Sequence, residues 1–77
     1  MEVVPLTALE PGELARVFAV SGGRGATRRL AELGLTPGAA VRVLSAARGG
    51  PVLVEIRGSR IALGRGVAAK VLVRRGG

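Results

Sequence analysis

Two glutamates, Glu10 and Glu13, flank a Pro-Gly turn, and they form the one acidic pair near enough in sequence to share a metal ion. The 77 residues include no Cys, His or Asp, so the side chains that usually complete an iron or zinc site are missing. We therefore interpret Glu10 and Glu13 as solvated carboxylates that bind Fe²⁺ or Zn²⁺ weakly. No cofactor is predicted.

Nucleophilic catalysis would need an activating base that the sequence does not supply. Ser21, Ser45 and Ser59 have no His or Asp to activate them, and Lys70 is the one lysine. The segment SGGRGATRR, residues 21–29, is glycine-rich but fits neither the Walker A nor the dinucleotide-binding pattern, so we interpret it as a connector. The sequence predicts a protein that is not an enzyme.

The charge balance is strongly basic, with twelve Lys and Arg against five acidic residues and a formal net charge of +7. Apart from the pairs Arg28-Arg29 and Arg74-Arg75, the arginines are dispersed singly, which is typical of a solvated basic surface. Phe18 is the one aromatic residue, so no platform for stacking single-stranded bases is present. A basic small barrel that binds nucleic acid is the alternative function, and a steep loss of binding with salt would indicate it.

Length and hydropathy bound the architecture. A chain of 77 residues predicts a single domain with a modest core. No apolar run approaches the roughly 18 residues that a membrane span needs, and the N-terminus lacks the pattern of a secretory signal. We expect a cytoplasmic protein that does not span a membrane.

The segment RRLAELGLTPG predicts a helix near residues 26–33 that stops abruptly. Leu30 and Leu33 should face the core, whereas Arg28 and Arg29 should point into solvent at the first helical turn.

The stop itself is predicted at Gly34, which can adopt the left-handed conformation. Leu30 and Leu35 then occupy the two positions whose side chains touch in a Schellman motif. Pro37 and Gly38 predict a β-turn into the next strand.

Alternating apolar residues predict five strands, at residues 14–20, 39–46, 52–57, 60–64 and 70–74. Gly58-Ser59 is predicted as a two-residue hairpin connection of type II′. Strands this short, interrupted by one helix, are expected to curl into a small closed antiparallel barrel that hides its edges.

Four large apolar residues fall on strand faces that also carry Arg or Glu: Phe18, Leu44, Leu53 and Leu72. One interpretation is a surface that docks on a protein partner. The other is that the helix and the N-terminal turn cover these side chains, and the sequence favours neither.

The segments PGELARV, RRLAELGLTPG and GSRIALGRGVAAKVLV, in this order, resemble ferrous iron transport protein A (FeoA) and the related C-terminal domain of iron-dependent repressors. The resemblance extends from about Pro5 to Arg74. Two positions depart from the family pattern, since Gly50 replaces a usual acidic residue and Gly64 a usual basic one.

The resemblance implies a mainly β fold, an SH3-like antiparallel barrel with one inserted α-helix. It also implies a cytosolic accessory of FeoB, the membrane GTPase that imports Fe²⁺, with the cytosolic part of FeoB as the partner. Because no winged-helix region precedes the domain, we expect the free-standing protein instead of the repressor. Arg28 and Arg29 are candidate partner contacts, and self-association is left open.

Overall fold

The computed structural model describes residues 2–76. Its strands are β1 (Val3–Pro5), β2 (Leu14–Val20), β3 (Ala40–Ala46), β4 (Val52–Ile56), β5 (Ser59–Leu63) and β6 (Val71–Arg75). The helix α1 (Gly23–Glu32) lies between β2 and β3, a short helix α2 (Arg65–Ala68) precedes β6, and a 3₁₀ turn covers Leu6–Ala8. The five predicted strands are confirmed to within one residue at each end.

All six strands form one antiparallel sheet in the order β1-β6-β2-β3-β4-β5. The sequence did not indicate β1, because its three residues include Pro5 and have no alternation long enough to read. Its pairing with β6, in which Val4 lies opposite Val73, is what makes it a strand.

The sheet curls around a single apolar core, and the molecule measures 28 × 27 × 22 Å along its principal axes. Inward side chains of β2, β3, β4 and β6 are fully buried. Leu6 of the 3₁₀ turn, Leu30 of α1 and Leu35, which follows α1, cover the remainder of the core. The mainly β fold with one long helix is confirmed. The curled sheet has two edge strands, β1 and β5, whereas a closed barrel with hidden edges was predicted.

The chain leaves the helix at Gly34, as predicted. The main-chain N–H of Leu35 donates to the Leu30 carbonyl at 3.0 Å, and that of Gly34 donates to the Ala31 carbonyl at 2.9 Å, with Gly34 at φ 98°. These are the two hydrogen bonds of a Schellman motif. Ala39 then donates to the Thr36 carbonyl across the Pro37-Gly38 turn, as predicted.

Leu33 was predicted to face the core, and this is wrong: its side chain is 42% exposed. The reason is the stop itself. Leu33 is the last residue before the chain reverses at Gly34, and the reversal brings Leu35 back against Leu30. Leu35 therefore occupies the buried position, at 1% exposure.

The hairpin between β4 and β5 also differs from the prediction. Ile56 pairs with Ser59, so the connecting residues are Arg57 and Gly58 and not Gly58 and Ser59. Both have positive φ, 50° and 81°, which is the type I′ geometry and not type II′. Type I′ turns usually contain Asn-Gly or Asp-Gly. Because Arg57 occupies the first turn position here, the sequence did not indicate this turn type.

Candidate functional site

Phe18 lies on the outside of the sheet, 47% exposed, at an irregularity of β2. Val17 pairs with Val73 and Ala19 pairs with Leu72, so Phe18 is the extra residue of a β-bulge. The Arg74 guanidinium carbon is 5.6 Å from the centre of the Phe18 ring, within the range of a cation–π contact. The bulge and the arginine together hold an aromatic ring against the outer face of β6.

The neighbouring strands β6 and β1 carry further apolar residues. The register places Leu72 between Pro5 and Ala19, and Val3 opposite Arg74. Leu72 is half-buried and Val3 is 43% exposed. We call this surface the outer patch; its members are Val3, Pro5, Phe18, Leu72 and Arg74.

The other two predicted outward leucines form a separate pair. Leu44 is the extra residue of a second bulge, because Val43 pairs with Val54 while Ser45 pairs with Leu53. Leu44 and Leu53 are both half-buried and lie on the paired strands β3 and β4, of which β3 is the neighbour of β2. The structure thus divides the four predicted residues into two pairs, and Phe18 is the most exposed of them.

Arg28 and Arg29 are exposed, as predicted, but not at the first turn of the helix. Because α1 begins at Gly23, three residues earlier than expected, Arg29 lies in its last turn. Arg28, together with Arg24, lines a shallow groove of about 490 Å³ between α1 and the end of β2.

In the candidate pair Glu10 and Glu13, the Glu13 carboxylate already has hydrogen-bond donors within the protein. The Glu13 carboxylate accepts hydrogen bonds from Arg75 Nε at 2.6 Å and from the Glu10 main-chain N–H at 3.0 Å. These hydrogen bonds, that from Arg75 above all, hold the pKa of Glu13 below its ordinary value. Within residues 2–76, no three His, Cys, Asp or Glu side chains are grouped so that they could hold a metal ion.

Sequence reasoning missed the role of Arg75. Its guanidinium also bonds the Glu2 carboxylate at 3.1 Å and the Ala8 carbonyl at 2.9 Å. The hydrogen bonds that Arg75 donates to the Glu13 and Glu2 carboxylates raise its pKa above the ordinary value, the one to Glu13 most. No local pattern signals this arrangement, because its members come from opposite ends of the chain.

Arg65 was also missed. Its Nη2 donates to the Ala47 carbonyl at 2.9 Å and its Nε to the Gly50 carbonyl at 3.3 Å, which fixes the loop between β3 and β4. Arg65 and Arg48 line a surface cleft of about 490 Å³ beside the 3₁₀ turn. The family departure at Gly50 thus falls in a loop that Arg65 holds through main-chain carbonyls.

In the part of the chain that the structure describes, neither helix is long and apolar enough to cross a lipid bilayer. A curled antiparallel sheet of six strands with one inserted helix defines a small SH3-like β-barrel module. The chain belongs to the FeoA domain family, whose model matches residues 4–75.

Three relatives support this assignment. A protein of Methanocaldococcus jannaschii that carries the name of an Fe(2+) transport protein A is 38% identical over 69 residues, which are 90% of this chain and 83% of that protein. The crystal structure of an iron uptake regulatory protein (FeoA) superposes with a TM-score of 0.89 at 40% identity and covers 97% of this chain and 99% of the other. The FeoA of Stenotrophomonas maltophilia, solved with zinc, gives a TM-score of 0.76 at 33% identity, covering 88% and 86%.

These findings confirm the resemblance that the sequence motifs indicated. The chain is a ferrous iron transport-associated protein of the FeoA family, which is a family of transport accessory proteins and not of enzymes.

Proposed function

We propose that this protein is a cytosolic accessory of ferrous iron uptake that docks on the cytosolic part of a FeoB-type membrane GTPase transporter. Family membership supports the connection to iron transport. The observation that carries the docking proposal is the exposed Phe18 ring of the outer patch, which the Arg74 guanidinium contacts.

An exposed aromatic ring fixed by its surroundings is a typical anchor of a protein interface. Large, rigid side chains lose little conformational freedom on binding, and they dominate the energetics of most interfaces. Half-buried Leu72 lies on the neighbouring strand β6, opposite Ala19, and the Arg74 guanidinium lies over the Phe18 ring. The outer patch therefore combines four apolar side chains with one cationic side chain, that of Arg74.

The charge of the protein favours an acidic partner surface. With a formal net charge of +7, association with an acidic domain is accelerated by long-range attraction. Arg28 and Arg29 on α1 are proposed as further contacts, since both are exposed. Leu44 and Leu53, half-buried on β3 and β4, are proposed as weaker candidates for docking because less of their surface is exposed.

The test measures the affinity for the purified cytosolic part of the FeoB-type transporter from the same organism by isothermal titration calorimetry. Phe18→Ala should weaken binding at least about tenfold, as truncation of an interface anchor does. Leu33→Ala is the matched control, because Leu33 is similarly exposed, at 42%, but lies on the helix end outside the outer patch. Equal affinities for the two variants and the wild type would disprove docking through the outer patch.

A further inference from the structure

The two edges of the sheet differ in how they are protected. β1 is three residues long and ends in Pro5, which lacks an N–H for another strand. β5 is five residues long and has neither a proline nor a bulge in its pairing with β4. Natural sheets usually protect their edges against added strands, and here one edge is protected and the other is open.

The register of the hairpin shows which groups the open edge presents. Ile56 and Ser59 flank the two-residue turn and therefore form a hydrogen-bonded pair, and such pairs recur at every second position. Arg60 and Ala62 occupy the alternate positions, so their N–H and C=O groups point away from β4. No main-chain hydrogen bond to any other part of residues 2–76 covers these groups.

The side chains around this edge suit an incoming strand. Arg60 and Ala62 are exposed on the outer face, and half-buried Leu53 lies directly across from Ala62 on β4. Leu53 and Ala62 together give an added strand an apolar surface on which to pack. Ile61, packed against the core, faces the other way.

We propose that β5 accepts an extended acidic segment of the transporter's cytosolic part as an additional antiparallel or parallel strand. Charge identifies this occupant. Arg57, Arg60 and Arg65 lie on or beside β5, against one nearby acidic residue, Glu55. A second copy of the protein would bring the same arginines and another +7 formal charge, so repulsion opposes it. This inference rests on the proposed function, and the outer patch and β5 are then two separate contacts with one partner.

Two substitutions at one position test the proposal. In Ala62→Pro the lost N–H is one that the β4–β5 ladder does not use, so the hairpin is kept while the edge loses a donor. Ala62→Val keeps the N–H and favours a strand. With the transporter's cytosolic part as titrant, Ala62→Pro should raise the Kd at least about tenfold, whereas Ala62→Val should change it less than about threefold.

A second measurement needs no variant. Hydrogen–deuterium exchange of the Arg60 and Ala62 amides should slow in the complex, because an added strand accepts hydrogen bonds from them. If Ala62→Pro proves to be unfolded by circular dichroism, this measurement decides alone. Unchanged exchange at both amides would overturn the proposal.

The outcomes separate this inference from the proposed function. Absence of any binding by the wild type overturns both the proposed function and strand addition by this partner. Binding that is the same for Ala62→Pro and the wild type overturns strand addition alone. Sedimentation of the free protein as a dimer that Ala62→Pro abolishes would assign the edge to a second copy and overturn the acidic segment as its occupant.

Discussion

Arg75 Nε donates to Glu13 Oε2 at 2.6 Å, and this ion pair joins the last strand to the turn before β2. The same guanidinium bonds the Glu2 carboxylate and the Ala8 carbonyl. Strand β6 lies between β1 and β2. The Arg75 side chain therefore links β6 to the residues that precede both neighbouring strands and to the 3₁₀ turn. The polar contacts of Arg75 thus join residues from both ends of the chain.

The first prediction concerns acid stability. Hydrogen bonds from Arg75 and from the Glu10 N–H hold the pKa of folded Glu13 below its ordinary value of about 4.3. A lowered folded-state pKa contributes stability above the unfolded-state pKa, and the contribution is lost as the pH falls through the folded-state pKa. Wild-type Tm should therefore exceed that of Glu13→Gln at pH 7, and the difference should shrink steadily below about pH 4.3.

Melting curves at several pH values between 3 and 7 check this expectation. Glu10→Gln is the control, since the Glu10 side chain is exposed and its main-chain N–H, which the substitution keeps, is what bonds Glu13. A constant difference in Tm between wild type and Glu13→Gln at all pH values would contradict the argument.

The second prediction separates the two leucines of the helix end. Leu30 is 3% exposed and contacts the core, so Leu30→Ala should lower the free energy of unfolding by about 2 to 5 kcal/mol. Leu33 is 42% exposed, so Leu33→Ala should change it by less than about 0.5 kcal/mol. Urea denaturation measures both, and a large effect at Leu33 would show that its side chain is buried in solution.

Local sequence signals predicted most of the fold, because strands and turns here depend on near neighbours. The stop at Gly34 was predictable since the glycine and the Leu30–Leu35 contact lie within one short segment. β1 was not predictable, because three residues become a strand only through pairing with β6. The bulges at Phe18 and Leu44 were hidden for the same reason: a bulge is defined by the partner strand.

The candidate site was predicted less completely than the fold. Apolar side chains at outward positions of the strands pointed to Phe18 and Leu72, which the structure brings together. The contact of Arg74 with Phe18 and the pairing of Arg75 with Glu13 join residues far apart in the chain, so no spacing rule could indicate them. The adjacent pair Arg74-Arg75 gives no sign in the sequence of which side chains each arginine will contact in the fold.

The third prediction concerns metal binding. The one candidate pair, Glu10 and Glu13, has one carboxylate already bonded by Arg75, and metal coordination would have to displace that bond. Titration calorimetry of the purified protein with Zn²⁺ or Fe²⁺ should therefore show no stoichiometric micromolar site. Such a site would disprove the expectation, and loss of binding in Glu10→Gln would then locate it at this turn.

The fourth prediction compares two glycines with similar backbone angles. Gly34 has φ 98° and Gly38 has φ 89°, a region that costs an L-residue about 1 to 2 kcal/mol. A Cβ at Gly34 would lie 2.9 Å from Ile56 Cγ2, whereas one at Gly38 would meet nothing within 4 Å. Gly34→Ala should therefore destabilise the protein by at least about 1 kcal/mol more than Gly38→Ala. Equal losses in urea denaturation would mean that the Ile56 side chain moves away freely.

The last prediction concerns the charge on α1. Because the helix begins at Gly23, Arg29 lies in its last turn, where a cation interacts favourably with the carboxyl end of the helix dipole. Reversing Arg28 and Arg29 to glutamate should thus lower the free energy of unfolding slightly, by about 0.3 to 1 kcal/mol, instead of raising the melting temperature as a first-turn position would.

If these arginines contact the transporter, the same double variant should also weaken binding by an amount that its small stability loss cannot explain. Binding is measured at moderate salt, near 0.15 M, where the Debye length is about 8 Å and only charges close to the partner still count. Arg48→Glu is the control, because it reverses one exposed charge in the cleft beside the 3₁₀ turn, away from the groove at α1. Normal binding by the double variant would make α1 a purely structural element, and the outer patch around Phe18 would then be the docking surface without it.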